Sequence, residues 1–404
     1  MSFKELLNSV LDKFIRHRGV DKVSPYAHLS VDERLQRALV DQDFKEYCIK
    51  CKSENPCFDS ALETAKKIAA IDINGIAIDG RKIYINTPIS EEQVKGDVLE
   101  FYEYLDFLSP NGKSLASAVK ENMQYFSIDN RGNPNARSYC LYRSDDQGNE
   151  HKEIFCNLEG RIGDTSCAIH EFGHSVCQSF TTGSKDLRMK EVTTVILDQI
   201  SNYWLAQKYP QLADNFGEYL VDIQTRNVVK ARESLLDGLI INMQTGEMSL
   251  QDFQSDYGDM YFKNTNVLKR CLDNIETYRF SNMYEGRYLV PQAIALKMLD
   301  RFKQDPKVAT AQLKGIIAHD ADWTLEETLD YLGMPKESEL VDEYVDNFQK
   351  TISAIGKGDS NIAEKKNSKN EEYLEEFWAW LLTFCYTSGI LNLWLEITTK
   401  RVEM

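Results

Sequence analysis

One short segment, His170-Glu171-Phe172-Gly173-His174, has residue types and a spacing that suit metal chemistry. On an α-helix, residues four positions apart lie on the same face. The two imidazoles can therefore bind one Zn²⁺ at about 2.0–2.1 Å each. Glu171 directly follows the first imidazole. Zinc lowers the pKa of a bound water, and an adjacent carboxylate can accept its proton. The segment therefore predicts hydrolytic zinc chemistry.

A site of this kind needs a third protein ligand and one open coordination position. Glu191 is available on a second predicted helix, which follows a loop (181–188) long enough to reverse the chain. Residues three and four apart share a helix face, so Thr194 and Asp198 fall on the face of Glu191. We expect Asp198 to accept an N–H from a ligating histidine, a supporting contact that such sites normally need.

Two features concern how the first helix begins and packs. Gly163-Asp164-Thr165 supplies a turn and a capping residue for its start. Gly173 lies inside the helix, where glycine costs about 1 kcal/mol relative to alanine. We therefore predict that another segment passes close to the helix at Gly173.

The elements around these residues are predicted to be mostly helical. Helical patterns fill 1–128, with a helix start at Ser90-Glu91-Glu92, and they return over about 164–350. Between them, Ser138–Tyr142 and Glu153–Asn157 have the pattern of two short strands. The sequence therefore predicts a mainly α fold with a small β-sheet.

With these motifs in place, the sequence resembles the thimet oligopeptidase and oligoendopeptidase F family of zinc peptidases. The specific match is His-Glu-x-Gly-His at 170–174, followed by a helix with Glu-x-x-Thr at 191–194. Weaker matches lie at 129–139, 157–160, 283–288, 293–296 and 313–334. The resemblance covers roughly residues 60–352.

The resemblance implies a neurolysin-like helical metallopeptidase with two lobes, a deep channel between them and a small sheet beside the zinc helix. Short peptides would bind in extended form against an edge strand, which by position would be Glu153–Asn157. The family usually has a histidine at the position of Cys177, and its members are longer on the N-terminal side. These departures leave the zinc ligands intact and predict that one wall of the channel is reduced.

Individual roles carry over by position. The resemblance implies one Zn²⁺ per chain, with ligands at His170, His174 and Glu191. It implies that Glu171 is the catalytic acid and base. It also implies that Tyr284 and Tyr288, which are four residues apart on one predicted helix, donate to the oxyanion of the transition state.

The predicted function is therefore zinc-dependent hydrolysis of peptide bonds in oligopeptides. An exopeptidase with the same chemistry is one alternative. A peptide-binding protein with a vestigial site is another, although the intact ligand set argues against it. The sequence leaves the oligomeric state open.

Composition narrows the partners and the setting. The formal net charge is −16, from 47 basic and 63 acidic side chains, which argues against a nucleic-acid partner. Nine cysteines, an odd number spread over a long chain, do not resemble a disulfide framework, so we expect reduced thiols and a cytoplasmic protein.

The chain divides into four predicted regions. Residues 1–128 form an N-terminal helical region, residues 129–355 the catalytic region, residues 356–372 a polar linker and residues 373–404 a hydrophobic tail. Residues 377–395 carry no charge, a length close to the roughly 20 residues that span a bilayer. Membrane attachment and docking on protein are both open for this segment.

Overall fold

The computed structural model is mainly α-helical with one three-stranded sheet, as the sequence predicts. It describes residues 25–73, 76, 88–105, 114–129, 138–144, 150–157, 160–177, 186, 188–213, 216–262, 265–276, 283–320 and 322–357. Its helices are α1 (Val31–Val40), α2 (Gln42–Glu54), α3 (Phe58–Ala69), α4 (Glu91–Leu105), α5 (Leu115–Asn122), α6 (Gly163–Val176), α7 (Met189–Lys208), α8 (Pro210–Ala213), α9 (Phe216–Thr245), α10 (Leu250–Phe262), α11 (Thr265–Glu276), α12 (Leu289–Gln304), α13 (Pro306–His319), α14 (Leu325–Tyr331) and α15 (Glu337–Lys357). Its strands are β1 (Phe126–Asp129), β2 (Tyr139–Ser144) and β3 (Glu150–Asn157), and 3₁₀ helices cover Met123–Tyr125 and Tyr284–Tyr288.

The sheet has the order β1-β3-β2. β3 pairs in parallel with β1, placing Phe126 opposite Ile154, and antiparallel with β2, placing Tyr139 opposite Phe155. The prediction that Glu153–Asn157 forms an edge strand is therefore wrong, because β3 is the central strand. The four residues of β1 carry too short a pattern for the sequence to reveal the strand that covers the second side of β3.

Two predicted helix starts have different outcomes. At α4 the Ser90 Oγ accepts the Gln93 N–H at 3.2 Å, so the predicted serine cap is confirmed. At α6 the residue before the helix, Ile162, makes no side-chain capping hydrogen bond. Asp164 lies inside the first turn, and its carboxylate accepts the N–H of Arg161 at 2.8 Å. The predicted cap is therefore wrong in position, because the helix already includes Gly163.

One hydrophobic core joins the described elements, from Leu35 in α1 to Phe348 in α15. α7 is central to it and packs on α6 and α12, while α3 packs along α9. The Arg232 guanidinium of α9 donates to the carbonyls of Ala69 and Ile71 at 3.2 and 2.9 Å. The predicted boundary at residue 128 thus lies within a chain whose described parts share one core, and the boundary itself stays a prediction.

Residues 358–404 lie outside the described residues. This range includes the whole predicted tail and most of the predicted linker. None of the described helices combines the length and apolar character needed to cross a bilayer. Both hypotheses for residues 377–395 stay predictions.

Candidate metal centre

The facing surfaces of α6 and α7 bring three predicted ligands together. His170 and His174 lie one turn apart on α6, with ring centroids separated by 4.8 Å and ring planes at 83°. Glu191 enters from the first turn of α7, and its Oε2 lies 3.5 Å from the Nε2 of each histidine. The Glu191 side chain is 2% exposed. Two imidazole nitrogens and one carboxylate oxygen therefore converge on one buried point.

The donor atoms fit a zinc ion. A separation of 3.5 Å is longer than an ordinary N–H···O hydrogen bond. It is close to the separation of about 3.4 Å between two ligands at zinc–ligand distances of about 2.0–2.1 Å in a tetrahedral site. Among the described residues, these three side chains are the group whose potential ligand atoms all lie within 4.8 Å of one another. Cys177, buried just after α6, is not part of this group.

Asp198 orients the first histidine. Its Oδ2 lies 2.9 Å from the Nδ1 of His170, where a carboxylate requires a proton on Nδ1. The lone pair of a neutral imidazole then resides on Nε2, the atom nearest Glu191. Burial alone would lower the pKa of His170, but Asp198, Glu191 and Glu171 together outweigh it, with Asp198 contributing most, and raise that pKa well above its ordinary value. The structure thus places Asp198 where the sequence predicts a supporting contact.

Two carboxyl groups of the site have pKa values shifted in opposite directions. Burial raises the pKa of Glu171 to about 8, and nearby Glu191 and Asp198 add to the increase. Burial would likewise raise the pKa of Glu191. The charges of His174 and Arg287 oppose this effect and hold the pKa of Glu191 well below the usual range. Glu191 is therefore suited to remain a charged ligand, and Glu171 to exchange a proton near neutral pH.

Gly173 marks a close approach of α7 to α6. A Cβ at this position would lie 2.9 Å from Leu197 Cδ1 and 3.1 Å from Thr194 Cγ2. The prediction that another segment passes close to the helix here is therefore confirmed. Thr194 also contacts Glu191, since its Oγ1 donates to the Glu191 carbonyl at 3.1 Å.

Arg287 is a site residue that the sequence analysis missed. Its Nη2 lies 3.0 Å from Glu191 Oε1, the carboxylate oxygen that does not face the histidines. The same nitrogen donates to the Tyr288 hydroxyl at 2.9 Å. No local pattern relates position 191 to position 287, so spacing alone could not have revealed the contact.

The two candidate tyrosines do not lie on an α-helix as predicted. They are the ends of the 3₁₀ helix Tyr284–Tyr288, which has three residues per turn. Residues four apart are then rotated by about 120° instead of sharing a face. The Tyr288 hydroxyl contacts Arg287, which in turn contacts Glu191. The Tyr284 side chain lies outside the described part of the structure. The roles of both residues stay predictions.

A cavity of about 990 Å³ lies between α3, α14 and the start of α15. Arg188, at the start of α7, contributes to its wall and forms an ion pair with Glu337 at 2.7 Å. None of the metal-centre residues line this cavity. It does not correspond to the expected channel beside the zinc helix, and that channel stays a prediction.

Comparisons with known proteins give structural neighbours only. No protein-family model matches the sequence, and a search of curated proteins finds no match. Among solved structures, the chain is similar to oligoendopeptidase F and other peptidases. A protein assigned as an oligoendopeptidase F from Bacillus anthracis str. Ames is 12% identical, with a TM-score of 0.44, over 87% of this chain and 64% of that one. PZ peptidase A, solved with an inhibitor, is 14% identical, with a TM-score of 0.48, over 87% of this chain and 66% of that one.

A protein assigned as a peptidase from Chlamydophila abortus is 12% identical, with a TM-score of 0.41, over 87% of this chain and 61% of that one. The chain thus spans at most about two thirds of the length of these structures. At such identities and TM-scores, chemistry is decided by the residues of the site itself.

Proposed function

We propose that the chain is a zinc-dependent peptidase that hydrolyses peptide bonds in oligopeptides. The observation that carries the proposal is the placement of Glu191 Oε2 at 3.5 Å from the Nε2 atoms of both His170 and His174. The contact between Asp198 and His170 supports it. So does Glu171, which lies between the two histidines on α6, is buried and is not part of the ligand group.

The proposed mechanism assigns proton transfer to Glu171. A zinc ion held by His170, His174 and Glu191 would supply Lewis-acid chemistry, polarising the scissile carbonyl and lowering the pKa of a water molecule. Glu171 accepts a proton from the attacking water and then delivers it to the leaving amine.

Tyr288 is the better supported candidate for stabilising the oxyanion. A guanidinium has donors only, so the Tyr288 oxygen must be the acceptor in its contact with Arg287. The phenol O–H is not used in that contact and is suited to donate toward developing negative charge. Tyr284 is supported by the family resemblance alone.

The proposed substrates are short peptides. The resemblance of the motifs at 170–174 and 191–194 to the oligoendopeptidase F family favours cleavage at internal bonds. An exopeptidase with the same residues remains the alternative within this chemistry. A cytoplasmic setting is proposed from the odd number and wide spread of the nine cysteines in the sequence.

Glu171→Gln tests the proposal. The variant should retain zinc, because Glu171 is outside the proposed ligand set. It should lose peptidase activity by a factor of at least about 10². Turnover of a mixed peptide library and zinc content per chain are the two measurements.

Glu92→Gln, the same change at an exposed position of α4, is the matched control and should behave like the parent. His174→Ala should lose zinc together with activity. Parental cleavage rates in Glu171→Gln would refute the proposed mechanism. Zinc and peptide binding by the parent protein without turnover would favour the vestigial site instead.

A further inference from the structure

The non-coordinating side of Glu191 is occupied by one guanidinium. Glu191 Oε2 faces the two histidines, while Oε1 lies 3.0 Å from Arg287 Nη2. The Glu191 side chain is 2% exposed and that of Arg287 is 19% exposed. Because both carboxylate oxygens are engaged in a site shielded from water, the carboxylate has one favoured orientation.

Arg287 is itself held by an unusual backbone. The 3₁₀ helix that carries it follows Met283, which has a left-handed conformation with φ of 58°. This is uncommon for a residue other than glycine. The buried Asp237 of α9 accepts the Met283 N–H at 3.2 Å, which gives the strained turn a specific partner.

The 3₁₀ helix Tyr284–Tyr288 packs closely on α9. A Cβ at Gly286 would lie 2.5 Å from Ser234 Oγ, so only glycine allows this approach without movement. Arg287 therefore projects from a backbone that is fixed at both Met283 and Gly286. A long, flexible side chain is positioned more precisely on a fixed backbone than on a mobile loop.

We infer that Arg287 is a positioning residue, which holds Glu191 with Oε2 directed at the two histidines and at the same time orients the Tyr288 hydroxyl. The inference rests on the proposed zinc centre. Arg287 acts through Glu191 and Tyr288, and no contact with reacting atoms is assigned to it. Supporting contacts of this kind typically change metal affinity or activity 10- to 100-fold when removed.

Because of this dual role, substitution of Arg287 should have a different set of effects from substitution of Tyr288. Removing the guanidinium should affect both zinc affinity and turnover, because one Nη2 contacts both Glu191 and Tyr288. Tyr288→Phe should leave zinc affinity unchanged, because it does not alter the contact between Arg287 and Glu191. A merely structural role would instead appear as a loss of folded protein.

The experiment compares Arg287→Met and Arg287→Lys with the parent full-length protein. Zinc dissociation constants are measured by competition with a chelator, turnover is measured at saturating zinc, and circular dichroism reports the fold of the metal-free protein. Arg270→Met is the matched control, since Arg270 is 57% exposed and pairs with Glu233 away from the centre.

Arg287→Met should weaken zinc binding about 10- to 100-fold and lower kcat when zinc is saturating. Arg287→Lys should recover part of the affinity, because it keeps the charge without the planar guanidinium. Arg270→Met should match the parent. If Arg287→Met does not fold, a reduced zinc affinity in folded Arg287→Lys supports the inference.

Parental zinc affinity in folded Arg287→Met or, failing that variant, in Arg287→Lys would overturn the inference. These outcomes can be told apart from failure of the proposed function. If the parent binds zinc but cleaves no peptide, the peptidase proposal fails and the zinc-affinity comparison still tests Arg287. If the parent binds no zinc, both fail together.

Discussion

Replacing Gly173 with alanine probes how closely α6 and α7 must approach for the metal centre to form. The new methyl group would lie 2.9 Å from Leu197 Cδ1 and 3.1 Å from Thr194 Cγ2. Carbon atoms prefer separations of about 3.5–4.0 Å, so α7 or its side chains must move by about half an ångström or more. Leu197 and Thr194 are fully buried, which leaves little room for the side chains alone to adjust.

The expected magnitude follows from two opposing contributions. Overpacking a buried contact costs about 1–3 kcal/mol, and alanine in place of glycine within a helix contributes about 1 kcal/mol of stabilisation. Gly173→Ala should therefore be destabilising by about 0–2 kcal/mol. Any displacement of α7 also displaces Glu191, and metal sites tolerate ligand errors of only about 0.2 Å. Zinc affinity should fall by about tenfold or more.

Gly96→Ala is the matched control. Gly96 lies in α4, and no atom would lie within 4 Å of its added Cβ. This substitution should therefore stabilise the protein by about 0.5–1 kcal/mol with zinc affinity unchanged. Urea unfolding of the metal-free proteins and zinc competition with a chelator are the assays. Equal stabilisation by both substitutions, with parental zinc affinity in Gly173→Ala, would refute the close-contact explanation.

Three further predictions use other parts of the structure. Asp198→Ala should weaken zinc binding about 10- to 100-fold in the same competition assay, because His170 loses the acceptor at its Nδ1; unchanged affinity would contradict this. Tyr288→Phe should lower kcat more than it raises KM in steady-state kinetics, because an oxyanion donor acts mainly in the transition state; an effect confined to KM would mean that Tyr288 only lines the site. Protein ending after Lys357 should retain zinc and peptide turnover, because the described core extends to Phe348 of α15; loss of zinc in folded truncated protein would show that the tail supports the centre.

The features that the sequence alone determined depend on interactions between near neighbours along the chain. The facing of His170 and His174 follows from the helical period, and the start of α4 follows from the Ser90 hydroxyl and a backbone N–H three residues later. Gly173 could be interpreted because glycine within a helix is unfavourable unless a close contact requires it. In each case a few consecutive residues contain the whole physical cause.

Other features were decided only by the tertiary structure, because their causes lie far apart in the chain. β3 is central because the short strand β1 pairs with its second side. The segment Tyr284–Tyr288 is a 3₁₀ helix that packs tightly on α9, so its residues do not follow the α-helical period that the sequence suggested. Arg287 meets Glu191 only because the 3₁₀ helix and α7 pack into one core. Local spacing specifies which atoms can bind a metal, whereas long-range packing specifies which charges surround them.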